Sequence, residues 1–283
     1  MTWTLPDERA GHEAPPDLVE RRALVGGGDD QQVIADGVTA DAAELGGVPC
    51  VVCSPAAPTA TLVYFHGGGY RLGSARGWRT FGSRIAAATN LRVVLVDYRL
   101  APEHPFPAAL RDALAVYDAV TADGGTVCAG GDSAGGGIAA ALTVACLQRG
   151  TPVPAKLVLI SPWVDLTQTA GTFASRAETD IMFSKQSGDD ASALYLQGHD
   201  PRDPLASPQF ADVTGFPPTQ IFAGGMETLL DDSLELASRV ARAGSAVELV
   251  VAPDQQHVYP YLALDSEPGR AAHAAIARFL TGA

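Results

Sequence analysis

Short apolar runs recur along the chain at 61–65, 92–96, 126–130, 156–160, 219–223 and 247–251, each bounded by turn-forming residues. Continuous apolarity over so few positions, rather than alternation, marks strands covered on both faces. The stretches between them carry a helical period. Across 107–121, Leu110, Ala113, Leu114, Tyr117 and Val120 fall on one stripe, and Pro107 suits a first turn. The stretches 133–148, 230–243 and 270–280 read the same way. Strand and helix in alternation predict an α/β chain, with a mostly parallel sheet covered by helices. Two earlier strand candidates, 32–37 and 44–54, predict an antiparallel edge. Two regions break the rhythm. Residues 1–30 are polar, with Pro15-Pro16 and Gly26-Gly27-Gly28. Residues 164–216 separate two strands by far more than an ordinary connection, as a functional insertion such as a lid would. Within that insertion 190–196 is a helical candidate, and 200–208 carries Pro201, Pro204 and Pro208.

Composition narrows the reading. The 283 residues are 47% hydrophobic and 18% charged, which excludes a disordered chain. A single domain over 1–283 is expected, because α/β folds often run past about 250 residues as one unit. With 32 acidic and 19 basic residues the net charge is −13, so the chain repels phosphate backbones and is not expected to bind nucleic acid. The longest apolar stretch, 138–147, is too short to cross a bilayer. The start, Met1-Thr2-Trp3-Thr4-Leu5, has neither the basic residues nor the apolar core of a secretory signal. Four cysteines, Cys50, Cys53, Cys128 and Cys146, suit a reducing compartment, and a cytoplasmic location is expected. The spacing Cys50-x-x-Cys53 matches redox pairs, but those open helices. Here the surroundings read as a strand, where positions three apart face opposite sides, so buried thiols are the expectation.

Candidate chemistry lies where strands end. His66-Gly67-Gly68-Gly69 directly follows the run 61–65. Glycines let the backbone turn sharply and leave N–H groups uncovered, and such groups stabilise a developing oxyanion. Gly131-Asp132-Ser133-Ala134-Gly135 follows the run 126–130 and opens a predicted helix. A serine in so tight a strand-to-helix turn is forced outward, small neighbours prevent collision, and the helix start lends the N–H of Ala134. A phosphate-binding loop would end in Gly-Lys-Ser/Thr and would not place Asp132 beside the phosphate.

A nucleophilic serine needs a base and the base an orienting acid. Of six histidines, His257 alone follows the last predicted strand, at the carboxyl edge of a parallel sheet where catalytic groups gather. His66 belongs to the glycine loop and is placed to brace it. The acid is expected after the strand 219–223. Glu227 is first after the turn there. Asp231 and Asp232 look more like first-turn acids of the next helix, and Asp254 is a further alternative.

These residues resemble a known family, the bacterial hormone-sensitive-lipase-like branch of the α/β-hydrolases. The carrying pieces are His66-Gly67-Gly68-Gly69-Tyr70, Asp97-Tyr98-Arg99-Leu100-Ala101-Pro102-Glu103, Gly131-Asp132-Ser133-Ala134-Gly135-Gly136, Ser161-Pro162-Trp163 and the stretch 200–208. The resemblance implies the α/β-hydrolase fold with an eight-stranded sheet, and a small helical cap built from about 1–30 and 164–216. It implies hydrolysis of carboxylic esters, and a homodimer. By the same resemblance Ser133 matches the nucleophile, His257 the base, and Gly67, Gly68 and Ala134 the oxyanion donors. The acid departs from the common form, which has Asp where this chain has Glu227.

The expected activity is that of a serine carboxylesterase acting on small to medium esters through an acyl-enzyme, without metal or organic cofactor. Lactone hydrolysis and acyl transfer use the same machinery. A non-catalytic binding protein on this fold is the remaining alternative, disfavoured because Ser133 and His257 are both present. Tyr70, Trp163, Met182, Phe183 and Tyr259 are the candidates for walls of the substrate pocket.

Overall fold

The computed structural model describes residues 3–26 and 32–282. The predicted apolar runs form strands of one eight-stranded sheet. Its members are β1 (Val38–Leu45), β2 (Val48–Pro55), β3 (Thr61–Phe65), β4 (Arg92–Val96), β5 (Val127–Asp132), β6 (Leu157–Ile160), β7 (Thr219–Gly224) and β8 (Val247–Ala252). They lie in the order β1-β2-β4-β3-β5-β6-β7-β8. The pairs β1–β2 and β2–β4 are antiparallel and all others parallel. Every residue of β3, β5, β6 and β7 is buried, which explains why those runs are apolar without alternation.

Helices α1 (Pro16–Gly26), α2 (Arg79–Thr89), α3 (Ala108–Ala122), α4 (Ala134–Arg149), α5 (Thr172–Ser175), α6 (Lys185–Leu196), α7 (Leu230–Arg242), α8 (Tyr259–Leu262) and α9 (Glu267–Thr281), with short 3-10 helices at Ala75–Trp78 and Pro208–Phe210, complete the described elements. One face of the sheet packs against α3, α4 and α7 through Leu110, Leu142 and Leu236. The other packs against α2 and α9 through Ile85 and Ile276. Cys50 and Cys53 fall into these two separate clusters, as their spacing on a strand requires. All four cysteines are free and buried, and burial pushes the Cys50 and Cys53 thiols up to about 12, far from a reactive thiolate.

The antiparallel edge exists, but its first strand is not 32–37. That segment has no strand partner; the N–H groups of Val33 and Ala35 donate instead to the hydroxyls of Thr80 and Ser83 on α2. The edge is a hairpin of β1 and β2. Gly46 and Gly47 turn it with φ of 59° and 79°, splitting the predicted run 44–54 near its start. Two successive positive φ values are the geometry of a two-residue hairpin turn and favour glycine at both places. The helical candidate 190–196 extends back to Lys185, where the Ser184 hydroxyl caps the helix by accepting from the N–H of Ser187. The polar N-terminus contains α1, whereas residues 1–2 and 27–30 of the expected cap segment 1–30 lie outside the described residues. No helix among the described residues is long and apolar enough to cross a membrane.

The topology sets the site. From β3 the chain passes to β4 on one side, and β5 lies on the other. Loops at the carboxyl ends of β3 and β5 therefore meet across the point where strand order reverses. The loops after β7 and β8 open on the same edge.

Candidate active site

Ser133 sits between the last residue of β5 and the first of α4, with φ 53° and ψ −121°. A side chain at positive φ is strained, and it persists only where the surroundings hold it. Here they do. The Ser133 N–H donates to the carbonyl of Ile160, and the Ser133 carbonyl accepts from the N–H groups of Gly137 and Trp163. The flanking glycines are obligatory on steric grounds. A Cβ on Gly135 would lie 2.0 Å from the carbonyl oxygen of Phe65, and one on Gly131 would lie 2.3 Å from the carbonyl carbon of Gly135. Both obstacles are backbone and cannot swing aside. Gly135→Ala is therefore expected to lower stability by about 3 kcal/mol; urea unfolding of the variant and the parent measures it.

The hydroxyl of Ser133 lies 2.9 Å from Nε2 of His257, and Nδ1 of His257 lies 3.0 Å from Oε2 of Glu227. The three come from the turn after β5, the loop after β8 and the loop after β7, and all are buried. Because Glu227 accepts at Nδ1, the neutral imidazole carries its proton there and presents a bare Nε2 to the Ser133 hydroxyl.

The other two acids of the Glu227 loop have different partners. Asp231 accepts from the N–H of Thr172, and the buried Asp232 accepts from the N–H groups of Val164 and Asp165. They do not cap their own helix; they tie the insertion to α7. A further tie was invisible in the sequence. Asp180 accepts from the N–H groups of Met182 and Phe183 and, through its other oxygen, from the N–H of Thr228 beside Glu227. One carboxylate thus links the pocket wall to the loop of the acid. Proximity across 48 residues carries no local signal.

A cavity of about 370 Å³ opens on Ser133 and His257. Gly68 and Gly69 line it beside Ser133; Gly67 does not. The backbone of Gly67 instead faces the Asp132 carboxylate, with no room for a Cβ between them. Of the two glycines expected as oxyanion donors, Gly68 lies on the cavity wall and Gly67 behind it. Ala134 is the first residue of α4, so its N–H has no intrahelical acceptor. His66 braces the loop: its ring stacks on Tyr98 with centroids 4.3 Å apart, and its carbonyl accepts from the Tyr98 hydroxyl.

Met182 and Phe183 line the cavity as expected, and Phe183 stacks over the His257 ring. Tyr70, Trp163 and Tyr259 do not; all three are core residues. The backbone of Tyr70 turns at φ 61°, which sends the ring back to stack on Tyr195 at 3.9 Å. Trp163 stands behind Phe183 and donates its Nε1–H to the carbonyl of Asp165. The walls that sequence reasoning missed are Arg21 and Val25 of α1, Arg71 and Leu72 after the glycine loop, Trp78, and Tyr261 and Leu262 after His257.

The chain can now be set beside known proteins. Residues 62–261 match the family described as alpha/beta hydrolase fold. An acetyl-hydrolase of Streptomyces hygroscopicus is 41% identical over 202 residues, which cover 70% of this chain and 68% of that protein. A crystal structure of an esterase from the bacterial hormone-sensitive lipase family superposes with a TM-score of 0.90 at 37% identity, covering 95% of this chain and 93% of the other. A hormone-sensitive lipase from a metagenome library gives a TM-score of 0.91 at 35% identity, with 97% and 93% covered. The chain belongs to the α/β-hydrolase family. It falls among the bacterial hormone-sensitive-lipase-like esterases and is a carboxylic ester hydrolase.

Electrostatics in this α/β-hydrolase favour the arrangement around His257. Burial pushes its pKa down, but the hydrogen bond and charge of Glu227, with the charges of Asp180 and Asp132, outweigh that and hold it above its ordinary 6.5. Asp132, beside Ser133, is pushed up to about 7 by burial, opposed by hydrogen bonds from the Trp78 indole at 2.8 Å and the Tyr64 hydroxyl at 3.1 Å. Among the described residues no group of three or more His, Cys, Asp or Glu side chains is arranged to hold a metal ion.

Proposed function

We propose that this esterase hydrolyses small to medium carboxylic esters through an acyl-enzyme on Ser133. The observation that carries the reading is the continuous hydrogen-bonded line from Ser133 Oγ through His257 to Glu227, at 2.9 and 3.0 Å, opening into the cavity. Ser133 Oγ attacks the ester carbonyl while Nε2 of His257 takes its proton. Glu227 holds the imidazole in the required tautomer and stabilises the imidazolium. The N–H groups of Gly68, Gly69 and Ala134 receive the oxyanion. His257 returns the proton to the departing alcohol. Water, deprotonated by the same nitrogen, then releases the acid. Helix α1 and the insertion 164–216 act as a cap within one domain, since Arg21, Val25, Met182 and Phe183 close the cavity from those two segments.

A panel of 4-nitrophenyl esters of graded acyl length, run beside lactones and with added alcohol as competing acceptor, tests the reading. Turnover concentrated in the short and medium esters is expected. Preferential lactone opening, or transfer to the alcohol in place of hydrolysis, would replace it.

The raised pKa of His257 has a definite sign. The base must be neutral, so activity is lost as pH falls through the His257 pKa, and the acid limb of kcat/KM lies above pH 6.5. In Glu227→Gln the hydrogen bond to a carboxylate and its charge are gone, and burial is opposed only by the charges of Asp180 and Asp132, so the limb of the residual activity moves to lower pH. Profiles of the two proteins from acid to neutral pH check it.

A further inference from the structure

The cavity at Ser133 is electropositive in an acidic protein. The chain carries 32 acidic and 19 basic residues, yet the ionisable side chains lining this cavity are Arg21, Arg71, His257, Tyr261 and the interior Asp132. The Asp132 carboxyl is already engaged by Trp78 and Tyr64. Arg71 is unusual in its own right. It is only 7% exposed, and it makes no ion pair with any carboxylate among the described residues. Its guanidinium donates to the carbonyl and hydroxyl of Ser187, at 3.1 and 3.2 Å, and Ser187 also lines the cavity. Arg21 faces it as a like charge, and Asp17 and Asp190 act on it from the outer side without contact. Burying the Arg71 guanidinium without a carboxylate hydrogen-bonded to it is costly, and the exposed Arg21 at the same site repels it. An anion seated between them removes both penalties. The position of α1 is not accidental either, since Arg22 next door donates to the carbonyls of Arg71 and Ala101 and pairs with Glu103. That contact fixes Arg21 over the cavity.

We propose that Arg71, with Arg21, is the anion-recognition site of this esterase and that its substrates are esters bearing a carboxylate on the acyl or the alcohol part. The inference rests on the ester hydrolysis at Ser133 proposed above. A planar guanidinium meets a carboxylate with parallel charge-assisted hydrogen bonds, and apolar walls such as Phe183 and Leu72 accept the chain between carboxylate and ester.

The test uses two matched pairs of substrates. Mono-4-nitrophenyl glutarate is compared with the ester whose far carboxylate is replaced by an amide, which probes the acyl side. Butyrate esters of 4-hydroxybenzoate and 4-hydroxybenzamide probe the alcohol side. In one pair the parent enzyme should prefer the anionic member in kcat/KM by about tenfold or more, and the preference should shrink with added salt. Arg71→Gln should bring that ratio close to one, mainly through KM, and Arg71→Lys should retain part of it. Using the ratio cancels any general loss from disturbing the contact with Ser187. Should Arg71→Gln fail to fold, the parent alone still decides: glutarate or 4-hydroxybenzoate must inhibit hydrolysis of 4-nitrophenyl butyrate more tightly than its amide counterpart. No preference in either pair, an unchanged ratio in Arg71→Gln, or equal inhibition by acid and amide overturns the proposal. If neither 4-nitrophenyl butyrate nor either anionic ester is turned over, it is the hydrolysis at Ser133 that fails, and the two failures are distinguishable.

Discussion

Ser133→Ala is expected to lower kcat by about 10³–10⁶ while the fold stays intact. The size follows from the hydroxyl's position. No other serine or threonine hydroxyl hydrogen-bonds to His257 among the described residues, and in the proposed mechanism the 2.9 Å contact to Nε2 is the route by which the attacking oxygen loses its proton. The fold is expected to survive because the elbow is held by backbone groups: the N–H of Ser133 on Ile160 and the carbonyl of Ser133 on Gly137 and Trp163. Alanine preserves all of these and keeps the same Cβ at positive φ. Steady-state kinetics with a 4-nitrophenyl ester, alongside thermal unfolding, reads both halves of the expectation. A serine-directed phosphonate should add mass at Ser133 in the parent and nowhere in the variant. A variant keeping a tenth of the parent activity would remove Ser133 from the mechanism.

Glu227→Gln is expected to cost about 10²–10⁴ in kcat, far more than Asp231→Asn. The three acids after β7 are close in sequence but stand in different places. Glu227 faces His257 with no exposed surface, so an amide there removes the charge that stabilises the imidazolium and can donate to Nδ1, fixing the wrong tautomer. Asp231 holds only the N–H of Thr172 at the start of α5, a contact an asparagine oxygen can also make. Measuring both variants on one substrate ranks them. Equal losses, or a larger one in Asp231→Asn, would move the acid out of Glu227.

The same acids show how far the sequence could be read. The glycine run, the serine elbow and the strands β3 to β8 were legible because each depends on residues within a few positions: an apolar run fits a strand covered on both faces, and only glycine fits beside Ser133; β8 departs from the expectation of full burial because it ends the sheet and has a neighbour on one side alone. The hairpin edge was harder, because Gly46-Gly47 sits inside what reads as one strand and 32–37 is apolar enough to compete. Tyr70 and Trp163 stand next to chemistry in the sequence yet point into the core, because a positive φ at Tyr70 and the bond from the Trp163 indole to Asp165 turn them away. Local order also leaves open which glycines line the cavity. Three consecutive glycines are equivalent in composition, and only the neighbouring Asp132 carboxylate distinguishes Gly67 from the two that line the cavity.

Local spacing fixes local backbone, and so the amino-acid order alone determined the strands β3 to β8, the tight turn at Ser133 and the residue types available for the proposed chemistry. The tertiary structure decided which distant groups meet. Strand order brings loops after β5, β7 and β8 to one edge, separates Glu227 from Asp231 and Asp232, and lowers α1 over the cavity so that Arg21 faces Arg71. Those encounters join residues up to 124 positions apart, and they are set by the packing of the whole sheet rather than by any short stretch of chain.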